Sequence, residues 1–240
     1  MKRIFLILIM VTMITGIYAL ERVQFTKGSE SGLTIVSHNN TETVINIELT
    51  GFNLEKSDGF DKLTFINGQQ YTELEGKPQI PYFRRRIAIP DNGDVQIEVT
   101  NIKSMKLPDT YRIRPAQGPL YDLKNYEREF AYDEEFYKST TEYPGKTVEI
   151  KHTGSIRSFR YADVYIYPLQ YNPSTGVTEV IYQCDIELTY SGTGENELKR
   201  IIPVTDRWLP IYEIAFDNWQ FVKNSKPFAK QMKSESRSFN

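Results

Sequence analysis

Val180, Tyr182, Cys184, Ile186 and Leu188 recur at every second position, and Glu179, Gln183, Asp185 and Glu187 mostly fill the places between them. Successive side chains of an extended chain point to opposite faces, so this run makes a strand with one apolar face and one polar face. Cys184 lies on the apolar face and reads as a small buried hydrophobe, not a nucleophile. An earlier extended run, Tyr161 to Tyr171, connects to Val177–Tyr190 through Asn172-Pro173-Ser174-Thr175-Gly176. The Pro and Gly suit a tight loop, so 161–190 is expected to be a β-hairpin.

The same period recurs upstream. Ile45, Ile47 and Leu49 alternate with Asn46 and Glu48, and Val95, Ile97 and Val99 alternate with Gln96, Glu98 and Thr100. Asn67-Gly68 marks a turn before Tyr71. Pro81, Pro90, Pro108 and Pro115 fall at strand ends, where a missing amide is tolerated. The 16 tyrosines suit half-buried sheet faces, with the ring packed and the hydroxyl wet. Strands at this spacing, without helices between them, argue for a sandwich or barrel. The 240 residues allow one large β domain or two small ones.

Residues 116–146 break the pattern. Acids and tyrosines alternate loosely with Lys124, Arg128, Lys138 and Lys146, which reads as a long central surface loop. Beyond it, Trp208, Ile211, Tyr212, Ala215 and Trp219 follow helical spacing, with Asp206 as a possible cap. The tail from Lys223 is basic and Ser-rich, in the manner of a linker. The expected organisation is a signal peptide over 1–19, a β domain over 20–200, a junction or helical segment over 201–222 and a basic flexible tail over 223–240. Lys199-Arg200 lies in the linker after the last long strand, and basic pairs in mobile linkers suit trypsin-like processing.

Lys2 and Arg3, the apolar run Ile4–Ile14 and the small residues up to Ala19 have the layout of an export signal. The run is too short, and too soon followed by Glu21 and Arg22, for a comfortable membrane span. A bacterial secreted, periplasmic or cell-surface location is expected. A formal net charge of −2 offers no bulk attraction to nucleic acid. One cysteine forms no intrachain disulfide, and two isolated histidines, His38 and His152, make a poor basis for a metal site. No phosphate-binding Gly-Lys-Ser/Thr loop and no Gly-x-Ser-x-Gly elbow occurs, and no His lies near Cys184 in sequence. The chain is therefore expected to carry no catalytic residues and no cofactor.

Several segments resemble the propeptide of gingipain-type cysteine peptidases. They are Gly76-Lys77-Pro78-Gln79-Ile80-Pro81 with Ile87-Ala88-Ile89-Pro90, Tyr143-Pro144-Gly145, and Gly154-Ser155-Ile156-Arg157-Ser158-Phe159-Arg160. Ser158 stands where the family commonly has Asp. Pro168-Leu169-Gln170-Tyr171-Asn172-Pro173 is the most specific match, and Ile211-Tyr212 with Asn218-Trp219 is similar to the family's junction with the catalytic domain. The resemblance implies a β-sandwich of jelly-roll type that assists folding of a cysteine peptidase domain and blocks its cleft until cleavage. It also implies a loop that places a basic side chain in the specificity pocket. The matching position is Lys146, in an inhibitory loop Tyr143, Pro144, Gly145, Lys146, with Arg128 and Lys138 in the same region. A lysine suits a pocket whose acid pairs with its ammonium. A free-standing extracellular module that binds a protein or glycan through the Tyr-rich loop is the alternative.

Overall fold

The computed structural model describes residues 20–27, 32–65, 69–119, 129–192 and 202–226. Among these residues twelve strands run in chain order: β1 Glu21–Gln24, β2 Gly32–His38, β3 Glu42–Glu48, β4 Gly51–Ser57, β5 Phe60–Phe65, β6 Gln70–Tyr71, β7 Pro81–Ile89, β8 Asp94–Lys106, β9 Val148–Ile156, β10 Phe159–Ile166, β11 Leu169–Tyr171 and β12 Thr178–Ser191. The helices are short: α1 Glu134–Tyr137, α2 Leu209–Ala215, preceded by a 3-10 turn at Asp206–Trp208, and α3 Trp219–Val222. The export signal, the Asn67-Gly68 turn, Arg128, the Lys199-Arg200 pair and the tail beyond 226 lie outside the described residues.

All strand pairings are antiparallel. One small sheet has the order β1-β4-β5, and a second has β6-β7-β10-β9. In the third, β12 takes β8 along one edge and β11 then β3 along the other, with β2 outermost. The expected all-β architecture holds; the jelly-roll winding stays an expectation. Pro81 opens β7 and Pro90 follows its end, as their missing amides require.

The period-2 runs place the core. Ile45 and Ile47 of β3 and Cys184, Ile186 and Leu188 of β12 are all buried. They share one cluster with Phe83 and Ile87 of β7 and Ala162, Val164 and Ile166 of β10. Cys184 is paired with Ile47 across the strands and is 1% exposed. Burial pushes its thiol up to about 11, so it is a packing residue. Near Ile181–Gln183 the β8–β12 register shifts, and both Val180 and the adjacent Ile181 are buried.

Two expectations need correction. The 161–190 hairpin survives only in its distal part, where Leu169 pairs with Val180 and Tyr171 with Thr178. β10 ends at Ile166 and belongs to the other sheet, between β7 and β9. Pro168 has no amide for a ladder, and the chain changes sheet there. The helical segment is also broken. Phe216 is extended (φ −119°, ψ 119°) and separates α2 from α3, and Asp206 makes no side-chain cap. The central loop is partly built: Asp133 caps α1 by accepting the Phe136 amide at 2.9 Å, and the Tyr137 hydroxyl donates to the Ile113 carbonyl at 2.5 Å.

Candidate functional site

Tyr143, Pro144, Gly145 and Lys146 form a fixed loop against β11. Tyr143 and Tyr171 exchange two backbone hydrogen bonds, each 2.8 Å, as an isolated antiparallel bridge. The Tyr143 ring packs against the main core and meets Phe136 edge-on at 5.3 Å between centroids. Burial raises its phenol pKa, so it is neutral at physiological pH. The Tyr143–Pro144 peptide is cis. Gly145 has φ +75°, and a Cβ there would lie 3.2 Å from the Glu142 carbonyl oxygen. The turn therefore favours glycine.

Gln170 of β11 holds the far side of the loop. Its Oε1 accepts the Gly145 amide at 3.1 Å, and its Nε2 donates to the Lys146 carbonyl at 3.0 Å and the Tyr167 carbonyl at 3.3 Å. One side-chain amide thus satisfies backbone groups on both sides of the Gly145–Lys146 peptide. The Pro-Gly turn and the Pro168–Pro173 segment are parts of one structure.

The Lys146 side chain projects into solvent, 63% exposed, and its ammonium lies 2.8 Å from Glu149 Oε2. Glu149 also accepts the Tyr167 hydroxyl at 3.1 Å and faces Lys151 at 3.4 Å. Burial works against ionisation of Glu149, but the Lys146, Tyr167 and Lys151 donors hold its carboxyl below the usual carboxylate value. These groups line an open cleft of about 500 Å³ with Tyr71, Tyr82, Tyr143 and Tyr165. Lys151 lines it as well, with its ammonium 4.4 Å from the Tyr165 ring centroid. The site thus offers an exposed cation on a pinned backbone beside an aromatic wall. That arrangement suits recognition by a partner.

Lys138 takes another position. It caps the end of α1 and pairs with Glu134 at 2.6 Å, with both side chains largely exposed. Three features escaped the sequence reading: the Gln170 clamp, the Glu149 pairing, and Asp163. Asp163 is buried and receives Arg84 at 2.7 Å and Arg86 at 2.8 Å across β7 and β10. The Arg84-Arg85-Arg86 run was the only available signal for the last, since alternate arginines share one strand face. Among the described residues no group of three His, Cys, Asp or Glu is placed to hold a metal ion.

An antiparallel β domain that presents a cation on a pinned loop offers a surface for a protein partner. The Propeptide_C25 family matches residues 22–206, and the chain belongs to that family. Among curated relatives, Lys-gingipain HG66 of Porphyromonas gingivalis is 23% identical over 175 residues, which is 71% of this chain and 10% of that protein. Lys-gingipain W83 of the same organism gives the same figures. The chain therefore spans about a tenth of the length of the curated relatives it matches. A solved chain from the complex of Porphyromonas gingivalis RgpB pro- and mature domains superposes with a TM-score of 0.66 at 20% identity, covering 78% of this chain and 97% of that one. A chain from the structural study of zymogenic latency of gingipain K, also from Porphyromonas gingivalis, gives 0.65 at 17% identity, over 73% of this chain and all of that one. At these identities the likeness is one of fold.

Proposed function

We propose that this chain is the inhibitory and fold-assisting prodomain of an exported gingipain-type cysteine peptidase. The observation that carries the reading is the propeptide-family match over residues 22–206. The likeness to Lys-gingipains, and in fold to chains from a complex of pro- and mature domains and from a study of zymogenic latency, supports it. The partner is the peptidase's catalytic domain, in cis or in trans.

Within this reading the loop Tyr143–Lys146 enters the specificity pocket. Lys146 is the candidate plug because it is exposed while its backbone is clamped by Gln170. A pinned backbone binds with less ordering cost and resists the distortion that productive cleavage requires. To enter an acidic pocket Lys146 exchanges Glu149 for the pocket's own acid. The export signal over 1–19, the domain limits at 200 and 222, and processing at Lys199-Arg200 belong to the same proposal, as does a secreted or cell-surface location.

The test is direct. The purified chain is titrated into a mature gingipain-type peptidase of basic specificity. The expected result is tight, reversible inhibition and a one-to-one complex on gel filtration. Absence of both at micromolar concentration would refute the reading.

A further inference from the structure

The segment 202–226 closes a gap between the edges of two sheets. β6 covers β7 only at Pro81 and Tyr82, so the edge beyond them is open to other partners. Asp217 and Asn218 take that edge. The Arg86 amide donates to Asp217 Oδ2 at 2.7 Å, and the Asp217 amide donates to the Arg86 carbonyl at 2.9 Å. Asn218, fully buried, imitates a strand residue with its side chain: Oδ1 accepts the Ala88 amide and Nδ2 donates to the Ala88 carbonyl, both at 2.8 Å. This pairing explains why the helical segment breaks at Phe216.

A second anchor is the β9–β10 turn. The Ile202 amide donates to Ser158 Oγ at 2.7 Å, and the Ser158 hydroxyl donates back to the Ile202 carbonyl. The Arg157 guanidinium lies 4.4 Å over Trp208. Phe159 fills the centre, against Tyr212 at 4.8 Å, Trp219 at 5.4 Å and Phe216 at 5.6 Å.

The far edge is His38, the last residue of β2. The bonds to Ala88 fix Asn218 Nδ2 as a donor, and that same nitrogen lies 3.2 Å from His38 Nδ1. The Asn218 contact is a hydrogen bond only when His38 Nδ1 is unprotonated and accepts. Its other neighbour is Thr43 Oγ1 at 2.7 Å, which is bonded in turn to the Tyr190 hydroxyl. A protonated Nδ1 could still donate to Thr43, but it would oppose Asn218 donor to donor.

We propose that residues 202–226 are an acid-released latch whose trigger is His38. The proposal rests on contacts within this chain and is independent of the inhibitory reading. The groups facing His38 are Thr43 and Tyr190 from the third sheet and Asn218 and Phe221 from the segment. Tyr190 is neutral, its phenol pushed up to about 12 by burial. The latch carries two ion pairs to the rest of the chain, Asp217 with Arg85 at 3.7 Å and Lys226 with Asp91. Burial lowers the His38 pKa from its usual 6.5. The docked state thus favours neutral His38, and its contribution is lost as pH falls through that lowered value. Asp217 works the other way: burial raises its pKa, so its own protonation relieves the docked state. His38 is the group that releases.

Both tryptophans of the chain, Trp208 and Trp219, lie in the latch, so tryptophan emission, excited selectively over tyrosine, reports on it. On the full chain between about pH 7.5 and 4.5, emission should shift to the red in one step, with a midpoint below the ordinary histidine value of about 6.5. His38→Asn keeps an acceptor without the titration and should abolish the step, whereas His152→Asn and Asp217→Asn should retain it. Asn218→Ala should be red-shifted already at pH 7.5. In the unaltered chain, the NMR titration of the His38 ring should coincide with the change in the two indole N–H signals, a check that needs no variant to fold. A step that survives in His38→Asn, a wild type without a step, or a His38 titration that does not coincide with the indole change would overturn the proposal.

Discussion

Gln170 Oε1 accepts the Gly145 amide at 3.1 Å, while the same side chain donates to the Lys146 carbonyl. A residue 25 positions away in sequence therefore sets the geometry of the Pro-Gly-Lys turn. Gln170→Ala removes these two bonds and a third to the Tyr167 carbonyl at a half-buried site, where each is worth about 1 kcal/mol. The fold should lose only about 1–3 kcal/mol. Amide exchange at Gly145, whose acceptor is lost, should accelerate by about tenfold or more, the equivalent of about 1.4 kcal/mol. Unchanged exchange at this amide would show that Gln170 is not the clamp.

Asp163 anchors the outer face of the β7–β10 pair. Burial opposes its ionisation, but Arg86 and Arg84 overcome that and lower its pKa. A depressed carboxylate stabilises the fold above its unfolded value, near 3.9, and the contribution fades as pH falls through the folded value. Asp163→Asn should cost about 2 kcal/mol at pH 7. Below about pH 4 the variant should also show a shallower loss of stability than the wild type, because this carboxylate no longer titrates. Urea melts at pH 7, 4 and 3 measure both effects, and parallel losses in the two proteins would contradict the assignment.

Cys184 sits in the core with its thiol pKa pushed up to about 11. Thiolate is scarce at pH 8 and the sulfur is shielded, so a polar disulfide reagent should react only through opening of the domain. Labelling should be at least about 100-fold slower than in denaturant. Equal rates would remove Cys184 from the core.

Much of the sheet structure was legible because burial of one face imposes a period on the sequence. Ile45 and Ile47 of β3 and Cys184, Ile186 and Leu188 of β12 all lie in the core as their alternation requires. The misread hairpin has a specific cause. Alternation tells which face of β10 is apolar, but not which neighbour the strand chooses, and Pro168 reads equally as a bend within a hairpin or a change of sheet. The helix break at Phe216 was hidden for another reason. Asp217 and Asn218 leave the helix to satisfy the open edge of β7, a tertiary demand with no local signature. The loop Tyr143–Lys146 was visible as a Pro-Gly turn followed by a cation, whereas its clamp and the Glu149 counter-charge appear only when β11 and β9 are set beside it.

The central claim is that Lys146 occupies the specificity pocket of a cognate basic-specific peptidase. Lys146→Ala removes an exposed side chain paired with Glu149 at the surface, where such a pair contributes little, so the fold and its melting temperature should be unchanged. A charge pair that is desolvated in the complex and broken on one side costs about 2–5 kcal/mol. The measurement is the inhibition constant of the wild-type chain and of Lys146→Ala against the same mature peptidase. The account predicts a rise of at least about thirtyfold with an intact fold. An inhibition constant equal to that of the wild type would contradict it and move the search to Lys138 and Arg128.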